Sequence, residues 1–167
     1  MSAGDNIYDL GLERNSANFT QLSPLTFIER AASVYPELQA TRYGDRSLSW
    51  AQTYARCRRL ASALRRHGIA PGQTVAVLSA NIPEMFECHF GIPMMGAVLN
   101  TINIRLDAEA IGFILSHGEA KALIVDPEFS GVAETALSTL ETPPLVIDIL
   151  DPTFEGGKRI GKLNYDE

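Results

Sequence analysis

Apolar and polar positions are most regularly arranged between Thr74 and Ala110. A short apolar run, Val75-Ala76-Val77-Leu78, is bounded by Pro71-Gly72 and by Asn81-Ile82-Pro83, which is how a buried strand reads. Pro83 stands where a helix accepts a residue without an N–H. Met85, Phe86, His89 and Phe90, then Pro93 and Met94, follow at helical spacing. Gly91 and Pro93 predict that this helix kinks or ends early. Gly96 punctuates, and Ala97-Val98-Leu99 begins another strand. Strand, loop, helix, strand is the unit of a parallel crossover.

The unit continues downstream. Asp107 is an N-cap before a helix over Ala108–His117, with Ile111, Ile114 and Leu115 on its apolar side and Gly118 closing it. Ala122–Val125 reads as a strand. Phe129–Leu140 reads as a weaker helix, its face made by Val132, Ala136 and Leu137. Pro143-Pro144 breaks the chain before a last strand over Leu145–Leu150, and the polar, glycine-rich tail DPTFEGGKRIGKLNYDE reads as loop.

Upstream, residues 1–22 show little periodicity and read as an N-terminal arm. Ser23-Pro24 starts a helix whose stripe is Leu25, Phe27, Ile28, Ala31, Ala32 and Tyr35, and Pro36 ends it. Gly44-Asp45-Arg46, between 40–43 and 47–50, predicts a small hairpin. Ser49 and Gln52 form a capping box for a helix with Tyr54, Cys57, Leu60, Ala61 and Leu64 on one face and Gly68 just past its end. From Thr74 onward the order is β-α-β-α-β-α-β. That is an α/β fold, a parallel sheet with helices on both faces.

Composition narrows the function classes. A chain of 167 residues suits one domain or a piece of a larger one. Its net charge of −6 speaks against a dedicated nucleic-acid binder. No apolar run nears the roughly 20 residues of a membrane span. The start, MSAGDNIYDL, lacks the basic and apolar regions of a signal peptide. Cys57 and Cys88 fall inside apolar helical patterns and read as reduced, buried thiols of a cytoplasmic protein.

Candidate chemistry is sparse. His67 and His117 precede glycines at helix ends, where the dipole favours a cation. His89, on an apolar helix face, reads as a satisfied core histidine ahead of a ligand. No His or Cys spacing suits a metal. Arg56, Arg58, Arg59, Arg65 and Arg66 share one helix face, which admits a phosphate patch but reads first as a solvated surface. Gly156 to Lys162 has the spacing G-x-x-x-x-G-K, but Leu163 stands where a phosphate loop needs Ser or Thr, so it reads as a surface loop. Spacing alone yields no active site.

A resemblance adds to this. The chain supplies Val75-Ala76-Val77, Asn81-Ile82-Pro83-Glu84, Gly91, Gly96-Ala97-Val98, Asn103-Ile104-Arg105-Leu106, Glu109 and Ala120-Lys121. With SANFTQLSPLTFIERAASVYP, YGDRSLSW and LASALRRHGIAPG upstream, it resembles the N-terminal region of the adenylate-forming acyl-CoA synthetases, in wording closest to the plant acyl-activating enzymes and their bacterial relatives. The resemblance implies an incomplete portion of the large N-terminal domain of such a ligase, with residues 23–167 a partial α/β subdomain. It implies ATP, Mg2+ and CoA for the full-length enzyme, and a short- or medium-chain or aromatic carboxylic acid as substrate.

The family's Ser/Thr/Gly-rich ATP loop, ribose-binding Asp and C-terminal Lys have no match here, so no catalytic residue and no metal ligand carries over. The chain alone is therefore expected to be inactive, to hold these cofactors weakly, and to self-associate through uncovered surfaces, with a homo-oligomer one outcome. One role carries over by position: Arg105 matches a loop that lies near the CoA nucleotide in relatives, where a cationic fork suits a phosphate. Asn103 belongs to the same loop and shapes its turn. Pairing of Arg105 with Asp107 or Glu109 is the equal alternative. The competing function is a truncated, non-catalytic α/β chain with a structural or association role.

Overall fold

The computed structural model describes Gly11, residues 13–151 and residues 153–167. Residues 1–10 and 12 of the expected arm lie outside the described residues, and residues 13–22 form no helix or strand. Helix α1 (Pro24–Val34) starts where Ser23 Oγ accepts the Leu25 N–H at 3.3 Å. Strands β1 (Gln39–Tyr43) and β2 (Arg46–Ser49) form the hairpin, and Gly44, at φ 55°, makes its two-residue turn possible. Helix α2 (Trp50–Arg66) opens with the Ser49–Gln52 capping box. It closes with Gly68 at φ 87° and the Ile69 N–H donating back to Leu64 O at 3.1 Å.

Strand β3 (Thr74–Leu78), helix α3 (Pro83–Met94), strand β4 (Val98–Thr101), helix α4 (Ala108–His117), strand β5 (Ala120–Val125), helix α5 (Ser130–Ser138) and strands β6 (Leu145–Asp148) and β7 (Leu163–Asn164) follow. The five strands from β3 onward form one parallel sheet in the order β4-β3-β5-β6-β7. Alternation along β3 divides the core. Val75 and Val77 face Leu60, Leu64, Met85, Cys88 and Ile92 of α2 and α3, while Ala76 and Leu78 face Ile111, Leu115, Ala133 and Ala136 of α4 and α5. Helices cover both faces because every residue from Val75 to Leu78 is fully buried, which a one-sided sheet does not allow.

Four expectations are corrected. Helix α3 does not end early: it runs to Met94 with Pro93 in its last turn, where the hydrogen bond that proline removes is near the helix end anyway. Gly91 is a contact residue, since a Cβ there would stand 2.7 Å from Leu60 Cδ2 and 2.9 Å from Cys57 O. The tail is not all loop: β7 pairs with β6 through Ile147↔Leu163 and Asp148↔Asn164, and two residues are too few to show a period. Helix α1 buries only Ile28 fully, leaving Phe27 and Tyr35 exposed, and α5 turns Ser130 and Ala133 inward with Ala136 while Val132 and Leu137 are half-buried.

Candidate functional site

In an open α/β sheet, ligands bind outside the carboxyl ends of the strands where the strand order reverses. Here that point lies between β3 and β5, because β4 was added on one side of β3 and β5 on the other. Asp126 Oδ2 sits 3.4 Å from both Ser79 Oγ and the Ala80 N, and Asp126 Oδ1 accepts the Glu128 N–H at 3.1 Å. Ser79 and Asp126 are buried, so polar groups of the chain itself close this crevice.

The loop after β4 lies alongside. The Ile102 N–H donates to Val77 O at 2.9 Å and holds the loop against β3. Asn103 Oδ1 accepts the Arg105 N–H at 3.0 Å, a side-chain-closed turn that asparagine favours. Asp107 Oδ1 is committed to the Ala110 N–H at 2.9 Å, capping α4. Arg105 is exposed, and among the described residues no carboxylate, Asp107 and Glu109 included, stands within ion-pair distance of it. The result is an anchored turn that carries, at the carboxyl edge of the sheet, a guanidinium with no carboxylate partner among the described residues.

A second polar assembly was not legible in the sequence. Arg56 is not on a solvated face: its Nε lies 2.5 Å from Glu87 Oε1, one Nη lies 2.8 Å from Asp166 Oδ1, and the other lies 3.8 Å from Glu84 Oε1. Glu84 also pairs with Arg46 of the hairpin, at 2.5 Å, and Tyr165 donates its hydroxyl to Glu87 Oε2 at 3.0 Å. Burial opposes the Arg56 charge, but Glu87 and Asp166 outweigh it and hold the guanidinium above its usual value. Burial raises the Glu87 carboxyl, against the lowering effect of Arg56 and Tyr165. Apart from Asp166, all these groups are buried or half-buried. They join hairpin, helices and C-terminal segment, which is a structural task.

The glycine-rich loop before β7 has the amides at its C-terminal glycine occupied. Asp148 accepts the N–H groups of Ile160 at 3.1 Å and Gly161 at 2.9 Å, so a carboxylate of the chain sits where a phosphate would. Lys158 Nζ is paired with Glu134 at 2.6 Å. His89 is exposed, not in the core, with Nδ1 2.8 Å from Met85 O of its own helix. Among the described residues, no cluster of three or more His, Cys, Asp or Glu is placed to hold a metal, and no helix is long and apolar enough to cross a membrane.

The sequence profile of the AMP-binding enzyme family matches residues 28–162. An acetate–CoA ligase of Humulus lupulus is 45% identical over 168 residues, covering 93% of this chain and 30% of the relative. A peroxisomal acetate/butyrate–CoA ligase of Arabidopsis thaliana is 48% identical, covering 85% of this chain and 26% of the relative. The chain thus spans about 30% of the length of the relatives it matches. Among solved structures, an anthranilate CoA ligase in complex with anthranoyl-AMP shares the fold at a TM-score of 0.79, with 23% identity over 92% of this chain and 29% of its own. The N-terminal domain of FACL13 from Mycobacterium tuberculosis is 34% identical at a TM-score of 0.65, covering 72% of this chain and 30% of that domain.

Proposed function

This chain belongs to the AMP-binding enzyme family, and on that premise we propose that it is the N-terminal part of an ATP-dependent carboxylic acid:CoA ligase. In the full-length enzyme the substrate carboxylate attacks the α-phosphorus of ATP, the bond to pyrophosphate breaks, and an acyl-adenylate forms. The CoA thiolate then attacks the acyl carbon and AMP leaves. Mg2+ bound with ATP would supply charge neutralisation at the phosphates, and no residue of 1–167 is assigned to hold it. The observation that carries this reading is the identity to the acetate–CoA ligase across nearly the whole chain.

Residues 1–167 contribute scaffold and one binding group. The sheet holds the loop after β4 at its carboxyl edge, Asn103 sets the turn, and Arg105 meets a phosphate of the CoA nucleotide. The acid is short- or medium-chain or aromatic, a reading supported by relatives named for acetate, butyrate and trans-cinnamate. The compartment is the cytoplasm, supported by two free, buried cysteines. Several relatives are named as peroxisomal, and localisation of a tagged full-length protein separates the two.

The test uses the full-length polypeptide with ATP, CoA and a panel of acetate, butyrate, octanoate and cinnamate. A CoA thioester released with AMP and pyrophosphate is expected; ADP, or no thioester from any acid, rejects the reading. Arg105→Ala raises KM for CoA severalfold, and unchanged CoA kinetics rejects its role. A polypeptide of residues 1–167 alone is read as non-catalytic, because no position in it matches the family's ATP loop. ATP–pyrophosphate exchange by that polypeptide would overturn this.

A further inference from the structure

Strand β7 has two residues, stands at the edge of the sheet and, among the described residues, pairs with β6 alone. Asn164 is paired with Asp148, the last residue of β6, so the chain leaves β7 at the carboxyl edge, where ligands of an open α/β sheet bind. So short a ladder does little to fix the direction of the departing chain. Residues 165–167 are nevertheless held from several sides. The Tyr165 N–H donates to Asp148 O at 2.8 Å, and the Asp166 N–H donates to Asn164 Oδ1 at 2.8 Å, closing a side-chain turn. Both side chains then reach Arg56 of α2. One Nη lies 2.8 Å from Asp166 Oδ1, and the guanidinium carbon stands 5.8 Å from the centre of the Tyr165 ring. Arg56 Nε and the Tyr165 hydroxyl meet on the two oxygens of Glu87, which is fully buried.

We propose that Arg56 is a positioning residue for the adenylation step: through Asp166 and Tyr165 it sets the direction in which the chain leaves β7, and with it the placement of the ATP-binding segment of the full-length ligase. The proposal rests on the ligase reading given above. No position in residues 1–167 matches the family's ATP loop, so on that reading the loop is reached through the chain beyond β7. A planar fork suits this task where an ammonium does not, because it holds Glu87, Asp166 and the face of Tyr165 at once. Glu87 ties the clamp to α3, and α3 packs against α2 so closely that Gly91 has no room for a Cβ, so the clamp is fixed to a rigid pair of helices. Asp166 is exposed, and ion pairs in that setting contribute little to stability. Its contribution is orientation. Groups that stabilise charge developing on a phosphate act by being placed beforehand, and a displacement of about 1 Å costs up to about a hundredfold in rate.

The full-length ligase is compared with its Asp166→Ala, Asp166→Glu and Asp166→Ala/Tyr165→Phe variants by ATP–pyrophosphate exchange, thioester formation and thermal melts. The double variant is expected to lower kcat/KM for ATP about tenfold, with KM for CoA unchanged. Asp166→Ala alone lowers it about threefold at a nearly unchanged melting temperature, and it carries the test if the double variant does not fold. Asp166→Glu, which keeps the anion, restores the parental value. Variants that lose activity only in step with their melting temperature, with the KM values for ATP and CoA unchanged, show a purely structural clamp and overturn the proposal. So does a rise in both KM values together, or unchanged ATP kinetics in a working parent; in these cases the ligase reading stands. A parent that releases no thioester from any acid rejects the ligase reading and the proposal with it.

Discussion

Arg56 Nε lies 2.5 Å from Glu87 Oε1, joining a helix that reads as amphipathic to a carboxylate that is fully buried. Both carboxylates of α3 that face Arg56, Glu84 and Glu87, are inside the protein, and Asp166 completes the shell from the C-terminal segment. Glu84 keeps Arg46, but removing Arg56 leaves Glu87 buried without a cation, and breaking such a pair costs about 3–5 kcal/mol. Arg56→Ala is therefore expected to lower the melting temperature by about 10 °C. Arg56→Lys keeps the charge but not the fork, and falls between. Thermal melts check this; a shift below about 2 °C for Arg56→Ala would mean the network contributes little. Arg56→Ala combined with Glu87→Gln should cost less than the sum of the single changes.

Gly91→Ala inverts the usual helix-propensity rule. Alanine is better than glycine inside a helix by about 1 kcal/mol. Here its Cβ would meet Leu60 Cδ2 at 2.7 Å and the Cys57 carbonyl oxygen at 2.9 Å. The carbonyl belongs to the α2 backbone and cannot rotate away, so α2 and α3 must separate. A net destabilisation of about 1–3 kcal/mol is expected. Denaturant unfolding reads it directly, and a stabilised variant would show that the two helices part without cost.

The acid limb of stability should depend on Asp151. Burial raises its carboxyl, but the Thr153 N–H and the hydroxyl groups of Tyr43 and Thr153 donate to it and win, holding it below the usual carboxylate range. A carboxylate lowered by folding stabilises above its unfolded value, near pH 3.9, and that stabilisation disappears as pH falls through the lower folded value. Asp151→Asn should thus be less stable than the parent at pH 6, with the gap narrowing below about pH 4. A gap that does not change between pH 6 and pH 3 would exclude the titration of Asp151 as its source.

Both thiols should be silent in the folded chain. Cys57 and Cys88 are free and fully buried. Burial first, then the charge of Glu87, pushes the Cys57 thiol up to about 12, and the same two causes raise Cys88. The thiolate is the reactive form. Neither cysteine should react with a disulfide reagent at pH 8 until denaturant is added, and both should react then. Fast labelling of one equivalent in the native state would place a thiol at the surface.

Where structure follows from neighbours in the chain, the sequence reading and the fold agree. The Ser49–Gln52 capping box, the Asp107 cap and the Gly44 turn each depend on atoms within three residues of one another. The runs Val75–Leu78 and Ala122–Val125 are apolar on both faces, and that alone requires helices above and below. The Asn103–Arg105 turn was likewise within reach, since Asn103 closes it locally.

What could not be read is where distant groups meet. Arg56 looked like its arginine neighbours on α2, and only the packing of α3 and the return of residues 165–166 turned it into the centre of a buried network. Asp148 reads as a residue within the last strand, Leu145–Leu150, and only the fold brings Ile160 and Gly161 onto its carboxylate. Phe113 reads as one more apolar residue on an apolar helix, and its exposure depends on which side of α4 meets the sheet. Local pattern is encoded by dihedral preference and periodic burial, so it is written in consecutive residues. The partner of a charge, and the side of a helix that stays in water, are set by contacts between segments far apart in the chain, and no short stretch contains that information.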